Sequence, residues 1–500
     1  MREKISILLV CVLVISTASA FNPNKSLEKL ATVTYQGNAP VSTDPADEKH
    51  PSITLAPDGS ILVAFDRKEG AIEGHVHFMR STDGNNWVEI WNTDTPVGDM
   101  ENGMQEWPVI CTPPGGNSIY GSWNDEVLCS IFYINITNPA DPSGYEEIYA
   151  YDATDWDYDR HTFDIAAHDS SRFAVGHVGH IIYAGYDLPS SCQITWFVGG
   201  FAGQSGITGD EDYPIGYNNE VAVTANLFWL VWDFPNATTG KETLLIKWGD
   251  PIEESDCHYW PDREIGNPNA DYKDPAVGAS GEAICIVYMS NDNVFGDFDL
   301  KCMYSTDEGE TWHHSSLPSE SNVDEMNPEI YMSGSTVLCA FVRNGNLYFT
   351  KSDDYGATWE EPTKVNDVDG TVVDETGSVD ISPAGIVWVD TRNGNQDIYY
   401  APLPAPLITI EIQGGFGVKA IIANEGTEKA ENVAWTVDLS GLVFVGKHAE
   451  GTIDELSPGE SVEIGPGFVF GFGPTTITVT AGSVTKEASG FILGPLVLGL

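Results

Sequence analysis

Short runs of alternating apolar and polar residues, most of them closing on an aromatic and then a charged residue, recur through the first 400 positions. They are Leu62-Val63-Ala64-Phe65-Asp66, Tyr120-Gly121-Ser122-Trp123-Asn124-Asp125, Tyr183-Ala184-Gly185-Tyr186-Asp187, Leu230-Val231-Trp232-Asp233, Ile286-Val287-Tyr288, Cys339-Ala340-Phe341-Val342-Arg343 and Ile386-Val387-Trp388-Val389-Asp390. Period-two alternation marks a strand with one covered face, and segments with helical period are nearly absent. The runs lie about 54 residues apart, which suits a four-stranded sheet with its loops and is too long for a solenoid coil. The pattern predicts an all-β propeller of seven blades, or of six if the poorly patterned stretch 141–171 is not a blade of its own.

A ring of sheets must close, because an open one leaves a strand edge unpaired. The last run stops after Asp397-Ile398-Tyr399-Tyr400 with no outer strand of its own, while Ala31-Thr32-Val33-Thr34-Tyr35 precedes the first run without a partner. We expect an N-terminal strand to complete the last sheet, giving a propeller over 27–402. Pro402, Pro404 and Pro406 then stiffen a linker at 403–407. Beyond it, 408–412, 418–424, 433–437 and 475–480 alternate as short strands between Gly and Asn turns, which predicts a β-sandwich over 408–500. Its closing apolar run, Phe491 to Leu500, is short for a bilayer span and reads as a final strand, with an anchor as the alternative.

Three turns share one signature: Ser81-Thr82-Asp83-Gly84-Asn85-Asn86-Trp87, Ser305-Thr306-Asp307-Glu308-Gly309-Glu310-Thr311-Trp312 and Ser352-Asp353-Asp354-Tyr355-Gly356-Ala357-Thr358-Trp359. Ser and Asp accept from turn N–H groups, Gly takes a positive φ, and Trp folds back as a plug. The spacing resembles the Asp box, S-x-D-x-G-x-T-W, of the BNR repeats in sialidase-like β-propellers, the first copy being one residue short. Separately, Asn424-Glu425-Gly426-Thr427-Glu428-Lys429-Ala430-Glu431-Asn432-Val433 resembles the N-x-G-x-x-x-A-x-N-V pattern of CARDB-like immunoglobulin-fold modules.

Residues 1–20 carry Arg2 and Lys4, an apolar run from Ile7 to Ile15 and Ala18-Ser19-Ala20, the pattern of a cleaved secretory signal. A secreted or cell-surface protein is expected. Its 74 acidic against 23 basic residues give a net charge of −51 with aromatics still plentiful, a folded chain with an acidic skin, and exclude nucleic acid as the main partner. Without Cys11 of the signal, seven cysteines remain. Cys285 and Cys302 fall on neighbouring runs and are the leading candidates for a bridge, with burial as small apolar residues the alternative.

In such a propeller the Asp-box turns lie on one face, so Asp83, Asp307 and Asp354 are committed to turn geometry and ligands meet the other face. That rim receives the strand-end residues Asp66, Arg67, Asp125, Asp187, Asp233, Arg343, Asp390 and Arg392, and Asp47, Asp212, Asp274 and Asp374 from loops entering the inner strands. Each carboxylate either contributes to a ligand site or caps its own loop. Asp155-Trp156-Asp157-Tyr158-Asp159 has alternating carboxylates that could converge on Ca²⁺, and otherwise form a solvated acidic loop. Asn366-Asp367-Val368-Asp369-Gly370 is a weaker candidate for the same ion. His75 and His77 alternate on one strand as further possible metal ligands.

The sialidase resemblance implies three arginines on a substrate carboxylate, a Tyr nucleophile tuned by Glu, and an Asp acid/base. The chain departs from it: His50-Pro51-Ser52-Ile53 stands where an Arg-Ile-Pro segment would precede the first box. Arg67, Arg343 and Arg392 are the arginines available for a trio, though Arg343 and Arg392 look like equivalent repeat positions. Two readings follow. One is a noncatalytic exported propeller binding a glycan or protein ligand on its rim, with rim aromatics such as Trp107, Tyr213 and Tyr272 stacking on sugars and the immunoglobulin-like domain docking it. The other is a glycoside hydrolase, sialidase-like or acting on neutral glycans through two rim carboxylates.

Overall fold

The computed structural model describes residues 38–499 except 69–73, 94–104, 126–129, 137–144, 153–162, 184–185, 200, 208–216, 405, 407, 425, 427–428, 458–459 and 483. Up to Ala401 the described residues form seven four-stranded antiparallel sheets. Their first strands are Glu48–Leu55, Gln105–Cys111, Phe163–Asp169, Tyr217–Val223, Tyr272–Ser280, Glu325–Ser333 and Val379–Ser382. Six sheets are plain meanders; the seventh takes its fourth strand, Ala39–Pro40, from the N-terminal side of the first sheet. Residues 31–35, expected to supply that strand, lie outside the described residues.

Period-two alternation is what turns these sheets into a ring. Along Ala283–Ser290, Cys285, Val287 and Met289 enter the core shared with the following sheet, while Ile284, Ile286 and Tyr288 enter the core shared with the preceding one. Repeating this gives seven apolar cores, one between each neighbouring pair, the last joining Val387, Val389 and Ile398 to Ile53, Val63 and Phe65. The first strands pack side by side around a common axis and Val379–Ser382 meets Glu48–Leu55. The architecture is that of a β-propeller.

The join between first and last sheets is dense with hydrogen bonds. Val41 N–H donates to the Ile398 carbonyl at 2.8 Å, Glu48 N–H to Gln396 at 2.9 Å, and Gln396 N–H to Asp47 at 3.0 Å. Glu48, fully buried, accepts from Arg67 and Ser42 through one carboxylate oxygen and from Ile398 N–H through the other.

On the opposite face, the Ser81, Ser305 and Ser352 hydroxyls accept from the N–H of Gly84, Gly309 and Gly356, each at 2.9 Å, and donate to Asp83, Asp307 and Asp354. These carboxylates take further turn N–H groups and are held below the usual range by those bonds, with Asn86, Thr311 and Thr358 as the main partners. Gly356 (φ 102°) is packed so that a Cβ would stand 2.8 Å from Cys302 Sγ. Cys285 and Cys302 are free buried thiols with sulfurs 3.5 Å apart, so the expected bridge is not formed.

Beyond the prolines, a three-stranded sheet and a seven-stranded one pack face to face. Ile410, Ala420, Ile422 and Ile464 of the first meet Val437, Ile477, Val479 and Ile492 of the second in one core. No described helix is long and apolar enough to cross a membrane.

Candidate functional site: the mouth and cavity of the ring

Five of the seven first strands begin with the same irregularity. The pairing slips between Lys49 and Ser52, Glu106 and Val109, Tyr217 and Glu220, Lys273 and Ala276, and Met326 and Glu329. In each slip one non-glycine residue takes a positive φ: His50 (45°), Trp107 (56°), Asn218 (45°), Asp274 (51°) and Asn327 (49°). Each costs of order 1–3 kcal/mol of backbone strain, so the surroundings must hold it. Neighbouring carboxylates do so. Asp66 accepts from the His50 ring at 2.7 Å and from Trp107 N–H of the next sheet at 3.1 Å. Asp233 repeats the arrangement, accepting from the Asn218 amide at 2.9 Å and from Asp274 N–H at 2.7 Å. Asp374 accepts from the Asn327 amide at 2.7 Å, and the Thr376 hydroxyl donates to Asp274 at 3.3 Å. His50 also stacks on Trp107 with centroids 3.9 Å apart.

Two residues further along, the first strands line a cavity of about 200 Å³ on the ring axis. The repeat position facing it, set by cross-strand partners Ala64, Ser122, Gly176, Val231, Val287, Ala340 and Val387, holds Ser52, Val109, Asp164, Glu220, Ala276, Glu329 and Asp380. Four of the seven are acids, and no lysine or arginine is among the described lining residues. Asp164 accepts from Val221 N–H of the next sheet at 2.8 Å; Asp380 accepts from Ile53 N–H at 2.7 Å. Burial, opposed by those bonds, pushes Asp164 up to about 6 and Asp380 up to about 7. Burial followed by the charge of Asp164 raises Glu220, which also hydrogen-bonds Asp164. Burial and the charges of Asp380, Asp164 and Asp274 raise Glu329. Near the mouth, burial takes Asp274 to about 6 and Asp233 to about 7. Carboxyls in this state can be protonated donors near neutrality, able to bond a hydroxyl or serve as a general acid.

The three arginines do not converge. Arg67 is bound by Glu48 and Arg343 by Glu325 of the neighbouring strand and by Glu320 of a loop, while Arg392 is bound by Asp390 and by Asp367 of a loop. Register corrects their assignment: Arg67 pairs with Glu48 and Arg343 with Glu325, so these two are equivalent, whereas in the last sheet that repeat step falls on Asp390. Arg392 lies outside the strand and folds back on Asp390. Asp187 is also moved. Tyr183 and Tyr186 pair across a hairpin, so Asp187 stands on the third strand, not at the end of the second.

Asp125 pairs with Gln105 through the backbone; Asp212, Tyr213 and the Asp155, Asp157 and Asp159 run lie outside the described residues. Asp367 and Asp369 are engaged by Arg392 and Lys364. His77 bonds Glu89, and Tyr272 donates to Asp292 at 2.8 Å. Among the described residues no three His, Cys, Asp or Glu side chains are grouped to hold a metal ion.

The cavity acids were missed by sequence reasoning, which followed the strand ends. Their signal is an acid directly followed by Ile or Val at one step of the repeat: Asp164-Ile165, Glu220-Val221, Glu329-Ile330 and Asp380-Ile381. The bulges have one too, an X-Pro pair at His50-Pro51, Trp107-Pro108, Asp274-Pro275 and Asn327-Pro328.

No protein-family model matches the chain, and no curated protein matches it. Among solved structures it is similar to a protein of unknown function from Dyadobacter fermentans, with 10% identity and a TM-score of 0.42 over 74% of this chain and 98% of that one. It is similar to the α-L-arabinanase of Penicillium chrysogenum solved with arabinobiose, with 14% identity and a TM-score of 0.41 over 74% and 99% of the two chains. It is also similar to a mutant of Trypanosoma rangeli sialidase displaying trans-sialidase activity, with 10% identity and a TM-score of 0.35 over 93% and 89%. These distant likenesses concern overall fold and decide nothing about activity.

Proposed function

We propose that the protein is an exported, seven-bladed, sialidase-like propeller that binds an uncharged glycan, or a protein segment of similar polarity, at the mouth of its central cavity. In this reading the C-terminal sandwich is an immunoglobulin-like, CARDB-like docking module. One observation carries the choice of ligand: every rim arginine proposed from the sequence is already neutralised by a carboxylate of its own sheet, while the cavity is lined by acids and no described cation. Among the described residues, no lysine or arginine of the cavity wall would meet an anionic sugar there. Protonated carboxyls on the cavity wall would offer donors to neutral hydroxylated rings.

A second reading, a hydrolase of neutral glycans, is supported by Asp164 and Asp380, whose carboxyls burial pushes up to about 6 and about 7, toward the range a general acid needs. The test is titration calorimetry of the purified protein with neutral and sialylated oligosaccharides, run beside hydrolysis of fluorogenic neutral glycosides and sialosides with and without Ca²⁺. Binding of neutral glycans without turnover supports the first reading; turnover abolished by Asp380→Asn supports the second. Selective binding or cleavage of sialosides refutes both.

A further inference from the structure

The outer face of the seven-stranded C-terminal sheet is apolar at one end and exposed among the described residues. Strand register aligns Phe472, Leu493, Leu496 and Phe416 in one row across four strands, with Phe491 and Leu498 paired beside it. Their strand neighbours Ile492 and Val497 point the other way, into the sandwich core. The four residues of the row are 48%, 52%, 40% and 68% exposed. Four more exposed apolar residues, in 442–445 and at Phe468, extend the patch, and ring contacts run from Phe416 through Phe468 and Phe470 to Phe472.

Charge sets this face apart. In a chain of net charge −51, the segments 464–485 and 488–500 that build most of it contain no charged residue. Ten side chains, each leaving about 100 Å² in water, present about 1,000 Å², against the roughly 800 Å² per partner of a standard stable interface. Single exposed apolar residues are ordinary, but a continuous patch of this size is not.

We propose that this face is an isologous dimer interface, occupied by the same face of a second copy. A basic partner would be drawn to the acidic skin instead of an uncharged sheet, and an anionic lipid surface is repelled by the net charge. A second copy is flat, apolar and uncharged over a matching area, and a two-fold axis sets row against row with sheets packed as in a sandwich core. The like charges elsewhere sit outside the contact, and salt screens them within about 8 Å.

Sedimentation velocity and light scattering on the full chain over a wide concentration range provide the test. The expected result is a twofold rise in mass for the wild type, lost in Phe472→Glu/Leu493→Glu and in the single variant Leu496→Lys, with circular dichroism and melting unchanged. A wild type that stays at single mass overturns the proposal, as does a dimer that survives in either folded variant. Flotation of the wild type with vesicles of neutral phosphatidylcholine assigns the face to lipid and overturns it as well.

Discussion

Acidification should stabilise this protein, although acid usually unfolds proteins whose carboxylates are paired. Asp164 and Asp380 lie in the folded ring at about 6 and about 7, from an ordinary 3.8. A carboxyl whose folded pKa is raised contributes stability that is fully present below the unfolded value and is lost as pH rises through the folded one. At about 1.4 kcal/mol per unit, shifts of about two and three units amount to roughly 3 and 4 kcal/mol. Both side chains open on the cavity, where water screens part of this, so a combined change of about 3 kcal/mol between pH 8 and pH 4 is the working figure. For a ring of about 360 residues unfolding near 60 °C, that raises Tm by roughly 4 °C. Relief of the overall negative charge acts in the same direction, so the pH slope alone does not identify the groups.

Two variants separate the causes. Glu329 has its pKa raised by burial and by Asp380, Asp164 and Asp274; Glu361 is exposed on the surface. Glu329→Gln should raise Tm at pH 8 and flatten the slope, while Glu361→Gln should do neither. Calorimetric melts at four pH values measure both. A Tm that falls on acidification from pH 8 to pH 5, or a Glu329→Gln slope that matches Glu361→Gln, would refute the acidic cavity as the origin.

Three other perturbations test the frame. Arg343→Ala leaves the Glu325 carboxylate, 1% exposed, without its cation and should cost about 3–5 kcal/mol in urea unfolding, with Arg343→Met/Glu325→Leu recovering most of it. Gly356→Ala places a Cβ 2.8 Å from Cys302 Sγ and 3.0 Å from Cys285 Sγ at φ 102°; a loss of about 2–4 kcal/mol, read by thermal melting, is expected with no change in ligand binding. Glu48→Ala removes the acceptor shared by Arg67, Ser42 and Ile398 N–H and should speed amide exchange at Ala39, Val41 and Asp397–Ala401 well before other strands, as mass spectrometry would detect.

The propeller was legible because its information is redundant: each strand must alternate to feed two cores, and that constraint recurs sheet after sheet. A hairpin defeats the same reading. Tyr183 to Asp187 has the composition of a strand end, yet Tyr183 and Tyr186 stand opposite each other on neighbouring antiparallel strands, and alternation looks the same on both. The cavity acids were opaque for another reason. An acid between apolar strand residues reads as a break in the pattern, and only the register that aligns Asp164, Glu220, Glu329 and Asp380 shows that the breaks share one step. Likewise Arg392 resembled Arg343 in sequence until pairing assigned that step to Asp390.

Repetition and asymmetry divide the work between rim and cavity. The bulge recurs in five sheets, and Asp66 and Asp233 hold it by the same pair of bonds, so these carboxylates are spent on joining sheets and on supporting strained backbone. A group doing that in several sheets alike cannot single out one orientation of a ligand. The inward position can. Its acids fall in two neighbouring pairs, Asp164 with Glu220 and Glu329 with Asp380, separated by Ala276 on one side and by Ser52 and Val109 on the other. Within a pair the charges oppose one another, so the second proton is held more tightly than the first. On the proposed reading, the cavity would present polar groups at two places with an uncharged wall between them, an asymmetry against which a neutral ring could be oriented.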